Sequence, residues 1–218
     1  MKVVAFVPIK MNNERLPGKN TMCFTGGEPL IAYILRSLSK VRNIDEIYVY
    51  CSSEEICSYL PDTVKFLKRD PYYDLSSTSF NEVLYSFAKI VPADVYLLTH
   101  ATAPFMSTES MEKGVDAVLS GKYDSALSVL RMQEFIWKDG RPMNYDPLNI
   151  PRTQDLTPLY KETCGLYVYT KRLIMDEKRR VGDKTFLVEV SDIEACDINT
   201  RDDFIMADTI FQLQKARL

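Results

Sequence analysis

The chain reads as an α/β protein, a mostly parallel sheet covered by helices on both faces. Three observations predict this. Short apolar runs alternate with amphipathic stretches along most of the 218 residues. The runs are continuously apolar rather than alternating, as strands buried on both faces are. No linker, repeat or low-complexity segment interrupts them, so residues 1–218 read as one domain with a hairpin excursion near 132–160.

The elements follow in order. VVAFV (3–7) is a strand, and residues 29–41 carry apolar side chains at 30, 31, 34, 35, 38 and 41, one stripe of a helix. EIYVYC (46–51) is the second strand. Ser52 and Glu55 have the spacing of a capping box opening a short helix. VKFL (64–67) is the third strand, and Ser79 with Glu82 opens a helix that sets Phe80, Val83, Leu84, Phe87 and Ile90 on one side. DVYLLT (94–99), a helix over about 108–119 and SALSVL (125–130) continue the alternation.

The rhythm then breaks. FIWKDGRPMNY (135–145) predicts a hairpin turning at Asp139-Gly140, followed by an irregular loop at 149–158. The excursion holds the single tryptophan, Trp137, a candidate for burial against another subunit. CGLYVYT (164–170) resumes as a strand with a short basic helix after it. FLVEV (186–190) and ACDI (195–198) read as strands, and Thr200 opens a closing helix over 201–215.

Composition narrows the function. A net charge of −3 argues against general nucleic-acid binding, which needs a strongly basic face. No apolar run approaches the roughly 20 residues that cross a bilayer, and MKVVAFVPIK lacks the features of a signal peptide, so a cytoplasmic protein is expected. Five scattered cysteines without a CxxC pair, and one histidine, fit reduced thiols packed as small hydrophobes rather than a zinc site.

In open α/β sheets ligands bind beyond the carboxyl ends of the strands. The segment after strand one, VPIKMNNERLPGKN (7–20), places Lys10, Asn13, Arg15, Lys19 and Asn20 there. Arg69 and the Ser77-Thr78 pair follow strand three, His100 follows strand four, and Asp197 and Asn199 lie near the last strand. Cations, hydroxyls and amides with one late carboxylate suit a nucleoside triphosphate and magnesium. Neither GxxxxGK[ST] nor GxGxxG is present, and a solvated basic loop stays open as the alternative.

Four segments in order, VPIKMNNERLPGKN with GGEPLIAYIL, LLTHATAPF (97–105), PRTQDLTPLYKETCGLYVY (151–169) and ACDINTRDDF (195–204), resemble the acylneuraminate cytidylyltransferases, which make CMP-activated sialic acids. RLPGK (15–19) is also similar to the branch that activates 3-deoxy-manno-octulosonate. The resemblance implies a Rossmann-like sheet and a homodimer formed through the excursion. It implies transfer of CMP from CTP to a sialic-acid-like 2-keto sugar acid with release of pyrophosphate, Mg²⁺ as cofactor, and a place in polysaccharide or glycoconjugate synthesis. A cytidylyltransferase for another acceptor, or a nucleotide-binding regulator, are the rival readings. Carried over by position, Lys10 and Lys19 hold the triphosphate and serve catalysis, with Asn13, Arg15 and Asn20 also on the nucleotide. Arg69, Ser77 and Thr78 face ribose and cytosine. His100, Arg152, Gln154 and Tyr167 face the acceptor, with Arg152 the expected partner of its carboxylate, and Asp197 and Asn199 take the metal. Two departures stand out: Asn199 replaces a second carboxylate, and Thr163-Cys164 replaces the usual Asn-Gly beside the sugar.

Overall fold

In the computed structural model, which describes residues 1–216, the apolar run at the start becomes β1 (Val3–Ile9), buried along nearly its whole length at the middle of a seven-stranded sheet. The other strands are β2 (Glu46–Cys51), β3 (Lys65–Lys68), β4 (Val95–Thr99), β5 (Ser125–Met132), a small hairpin of β6 (Trp137–Lys138) and β7 (Arg141–Pro142), β8 (Leu159–Thr170) and β9 (Thr185–Glu189). The sheet order is β3-β2-β1-β4-β8-β5-β9. Only β8 runs antiparallel to its neighbours. The chain therefore moves outward from β1 to β2 and β3, then returns to place β4 on the other side of β1. That reversal opens a crevice beyond the carboxyl ends of β1 and β4.

The two faces are packed differently. Aliphatic residues of α1 (Leu30–Leu38) and α3 (Thr108–Leu119) cover one face with Val3, Ala5, Val7 and Ile9. The other face is aromatic, where α2 (Phe80–Ile90) and α4 (Lys171–Met175) cover Phe6, Tyr50, Tyr96, Tyr167 and Tyr169. Phe6 and Phe87 stack with centroids 4.0 Å apart. Burying each such ring contributes about 1.5–3 kcal/mol, enough to fix which face α2 presents. A third cluster, Phe24, Leu30, Phe204 and Ala207, seats α5 (Arg201–Lys215) against the segment after β1.

Local signals account for most helix starts. Ser79 and Glu82 form the expected capping box, which ends in a cleft-facing Phe80. Thr200 caps α5 by the same device with Asp203. The hairpin turns at Asp139-Gly140 as expected, both residues having positive φ.

Four expectations are corrected. Ser52 caps nothing: Ser53 is the cap, accepting from the Glu55 N–H, and residues Glu54–Tyr59 form 3-10 turns. Ser52 instead donates to Asp74. Residues 195–198 form no strand, because Glu194 accepts from Ser107, Ser110 and Ser191 and folds the segment into a turn. Strand β8 begins at Leu159 rather than 164, its outer half being polar and exposed. Of the thiols only Cys51 is buried; Cys23, Cys57 and Cys164 are exposed and Cys196 is half-buried.

Arg69 supports this frame. It is 3% exposed, donates to the Ile9 carbonyl at 2.6 Å where β1 ends, and pairs with Asp74. Removing a partner from a buried ion pair strands the other, which costs about 3–5 kcal/mol. Arg69→Met is therefore expected to lower unfolding free energy by about that amount in urea titrations. A loss under about 1 kcal/mol would show that Asp74 and the Ile9 carbonyl find other partners.

Candidate active site

The segment after β1 folds on two anchors. Gly18 sits at φ 68°, a left-handed turn that suits glycine, and it leads into a 3-10 turn over Lys19–Thr21. Asn20, buried, donates to the Lys10 carbonyl at 2.9 Å and to Asn13 Oδ1 at 3.3 Å, closing the loop on itself. Lys10 and Lys19 are thereby held on one wall of a cleft of about 340 Å³. The cleft is also lined by His100 after β4, Cys164 on β8, Phe80 at the start of α2, and Arg180, with the Phe80 ring next to both His100 and Arg180. Three other hollows are roomier: two, of 590 and 660 Å³, lie around α1, and one of 510 Å³ lies at the start of β4. The smaller cleft is the candidate site because it lies just past the carboxyl ends of β1 and β4 and gathers lysines and amides there.

The chain's far end meets its beginning here. Lys19 Nζ donates to the Ile198 carbonyl at 3.0 Å and to Asn199 Oδ1 at 3.4 Å. Arg15 Nη2 donates to the same Asn199 oxygen at 2.7 Å, while Asn199 Nδ2 donates to Asp197 at 2.6 Å. The segment is pinned to the strand-four turn by the Ile198 N–H on the Thr102 carbonyl, 2.9 Å. Burial pushes the Lys19 ammonium below its ordinary range; Asp197 opposes this, and Arg15 adds to it. Lys10 has one loose carboxylate, Glu14 at 4.0 Å. Arg15 lines an adjoining hollow with Lys10, Lys19 and Ser76.

The cleft thus gathers Lys10, Asn13, Lys19, Asn20, His100, Asp197 and Asn199, with Arg15 alongside. The remaining expected residues lie elsewhere. Arg69 is behind the wall, committed to Ile9 and Asp74. Ser77 is exposed, and Thr78 donates to the Tyr72 carbonyl at 2.9 Å. Arg152 is exposed and forks onto Asp155 at 2.7 and 3.0 Å, with Gln154 exposed beside it on the excursion. Tyr167 is fully buried, its hydroxyl donating to Glu162.

Two cleft groups had no assigned role in the sequence. Arg180 lies over the Tyr167 ring at 3.7 Å and over the Phe80 ring at 5.2 Å. The only signal for it is a run of three basic residues, 178–180. Cys164 has φ 57°, a strained conformation for a side-chain-bearing residue. Ser128 holds that bulge in place, its Oγ accepting from Thr163 at 2.7 Å and from the Leu166 N–H at 3.0 Å.

His100 is the chain's one histidine. Burial drives its pKa down to about 4, Arg180 pushes it the same way, and Asp197 opposes them. The imidazole is neutral at pH 7, so it offers a hydrogen bond rather than a charge. As for a metal, no cluster of three His, Cys, Asp or Glu exists among the described residues. Magnesium needs only one or two carboxylates when phosphates and water complete its shell. Asp197 fits that requirement, whereas the Asn199 oxygen is already shared between Arg15 and Lys19.

A crevice at the switch point of a mostly parallel sheet, walled by lysines and amides, defines a Rossmann-like α/β protein with a polar, cation-lined site. The family is defined by the sequence: the family model described as cytidylyltransferase matches residues 4–208, and the chain belongs to that family. It is 24% identical over 216 residues to an N-acylneuraminate cytidylyltransferase of Oncorhynchus mykiss, covering 94% of this chain and 49% of that protein. A CMP-N,N'-diacetyllegionaminic acid synthase of Legionella pneumophila is 25% identical, with 100% of each chain covered. The chain thus spans about half the length of the vertebrate relatives and the whole of the Legionella one. Among solved structures, a CMP:2-keto-3-deoxy-manno-octonic acid synthetase complexed with CTP superposes with a TM-score of 0.71 at 14% identity, covering 98% of this chain and 100% of that one. A 4-diphosphocytidyl-2C-methyl-D-erythritol synthase from Anaerococcus prevotii gives 0.70 at 17% identity, covering 97% and 96%. These two likenesses show the fold.

The site makes a pH prediction. Because its pKa is depressed in the folded state, His100 binds its proton more readily when unfolded, so stability falls as pH drops from about 6.5 toward 4 and is unchanged by this group above that window. A ¹H–¹³C titration of the single imidazole should give a midpoint near 4. A midpoint near 6.5 would mean that the ring is solvated and clear of Arg180.

Proposed function

We propose that the protein transfers CMP from CTP to the anomeric hydroxyl of a sialic-acid-like 2-keto sugar acid. The single observation that carries this is the meeting of Lys10 and Lys19 with Asp197 in one cleft, in a chain of the cytidylyltransferase family. In this reading the triphosphate lies along the Lys10–Lys19 wall, with Arg15 reaching its far end and Asn13 and Asn20 lining its path. The acceptor enters from the His100 side. Its hydroxyl oxygen bonds to the α-phosphorus, the bond from that phosphorus to the β-phosphate bridge breaks, pyrophosphate leaves, and the hydroxyl proton passes to water.

The chemistry explains why cations are needed. Both substrates are anions, and negative charge grows on the leaving pyrophosphate. Lys10 and Lys19 offset the repulsion and stabilise that charge, and positioning with electrostatics supplies most of the rate in such transfers. A magnesium ion on Asp197 would add charge neutralisation at the phosphates. His100, neutral, orients the acceptor and is too weak a base to drive the reaction. Arg69 acts from behind, by holding the end of β1. The product, an activated sugar acid, suits assembly of a polysaccharide or glycoconjugate, made where CTP is available in the cytoplasm.

The excursion is proposed to bind a second copy of the chain. Trp137 is 59% exposed, Leu148 95% and Ile150 63%, an apolar surface that a lone chain leaves in water. Arg152 and Gln154 lie outside this chain's own cleft and would reach an acceptor only across such a dimer.

Two outcomes are expected. Wild-type protein with CTP and Mg²⁺ should release pyrophosphate with at least one of N-acetylneuraminate, legionaminate, pseudaminate or 3-deoxy-manno-octulosonate. Lys19→Ala should lower kcat/KM for CTP about a hundredfold, as loss of one charge-stabilising contact costs about 2.7–4 kcal/mol. CTP binding without turnover of any acid would point to a nucleotide-binding regulator instead. For the dimer, Trp137→Ser with Leu148→Ser should shift the sedimentation coefficient to that of a monomer. An unchanged coefficient would place the interface elsewhere.

A further inference from the structure

We propose that Arg180 is the residue that binds the carboxylate of the acceptor, a role the sequence pattern gave to Arg152. This rests on the functional reading above. Arg152 is already forked onto Asp155, both exposed, and lines no part of this chain's cleft. Arg180 lines the cleft with Phe80 and His100 and has no contact with either lysine among the described residues, so it stays available to an acceptor once the triphosphate occupies the lysines.

The three consecutive basic residues at 178–180 have different fates, and the contrast isolates Arg180. Lys178 lies 3.0 Å from the centre of the Tyr85 ring. Arg179 is spent on Asp183, at 3.0 Å through both terminal nitrogens, and on Glu177 at 2.6 Å. Arg180 turns inward, half-buried, and among the described residues its one hydrogen bond is a long one, 3.5 Å to Glu162. Glu162 is itself shared with the Tyr167 hydroxyl. A guanidinium has five N–H donors in a planar fork, so most of this fork is without a protein partner.

The fork is also held still. Its central carbon lies over the Tyr167 ring, 3.7 Å from the centre of a side chain that is fully buried, and 5.2 Å from the centre of the Phe80 ring. A charge stacked on aromatic faces keeps its in-plane edge free for an anion. The neighbouring His100 is neutral and Cys164 presents a small side chain beside it, so nothing on this wall competes for a carboxylate or fills the space before one. The two ends of the cleft then divide the work: lysines, as point charges, take phosphates, and the planar fork takes a planar carboxylate in two-point contact.

The test uses initial-rate pyrophosphate release and calorimetry on the full chain, with the four sugar acids named above and the methyl ester of each. Arg180→Met should raise the KM for the accepted acid about 30-fold or more, with KM for CTP within about twofold of wild type. Arg180→Lys should recover part of that loss. The methyl ester should be a poor substrate for wild type and no worse for Arg180→Met. An acid KM unchanged in Arg180→Met, or an ester penalty as large in Arg180→Met as in wild type, overturns the role of Arg180 while leaving the functional reading intact. Wild-type protein that binds CTP and turns over no acid overturns both. If the KM for CTP rises instead, Arg180 belongs to the nucleotide and the proposal fails.

Discussion

The link between the β1 loop and the segment before α5, 179 positions apart, is the Lys19 ammonium on the Ile198 carbonyl together with the Arg15–Asn199 bond and the Phe24–Phe204 packing, and the cleft depends on it. Without it the β1 loop and the segment before α5 are two unrelated surface turns. With it, Lys10, Lys19 and Arg15 are brought to Asp197 and Asn199, and the carbonyl and amide oxygens offset part of the repulsion between the cations. The offset is incomplete by construction. One carboxylate, Asp197, stands among several positive groups, and burial already weakens the proton's hold on Lys19. An anion in the cleft would relieve that excess of positive charge.

The sheet supplies the second constraint. Since β4 returns to the opposite side of β1, the loops that follow these two strands diverge, and their side chains line a cleft between them. The single antiparallel strand, β8, adds something a purely parallel sheet lacks. Its bulge, braced by Ser128, Thr163 and the Leu166 N–H, turns residue 164 into the crevice from the far side. The left-handed φ at Cys164 is a cost accepted at the wall of the cleft, and the bracing hydrogen bonds are what sustain it.

Much of this was legible in the sequence, for identifiable reasons. Continuous apolar runs, capping boxes at Ser79 and Thr200, and the Asp139-Gly140 turn are local signals, and local physics decides them. The Lys10–Asn20 loop was legible because a strand end in an open sheet is already a position in space. What was not legible depends on distant partners. Residues 195–198 have the composition of a strand, and the serines around Glu194, two of them more than 80 residues away, hold the chain in a turn there instead. Arg69 has the type and placement of a ligand residue, yet it is consumed by Ile9 and Asp74. Arg180 is the reverse case: a basic run on a short connector reads as solvated surface until Tyr167 and Phe80 are seen beneath it.

These placements set the electrostatics of the whole crevice. His100 shares the cleft with Lys10, Lys19 and Arg180, and after burial the guanidinium is the strongest influence lowering its pKa. A neutral imidazole at that point is a consequence of burial first and of the nearby cations second, because another positive charge in an enclosed space is unfavourable. The neutral ring is thus an uncharged hydrogen-bonding group. Burial keeps the ring unprotonated and Arg180 and Lys19 reinforce this, so the histidine's fitness for the cleft depends on its enclosure as well as on the charges around it.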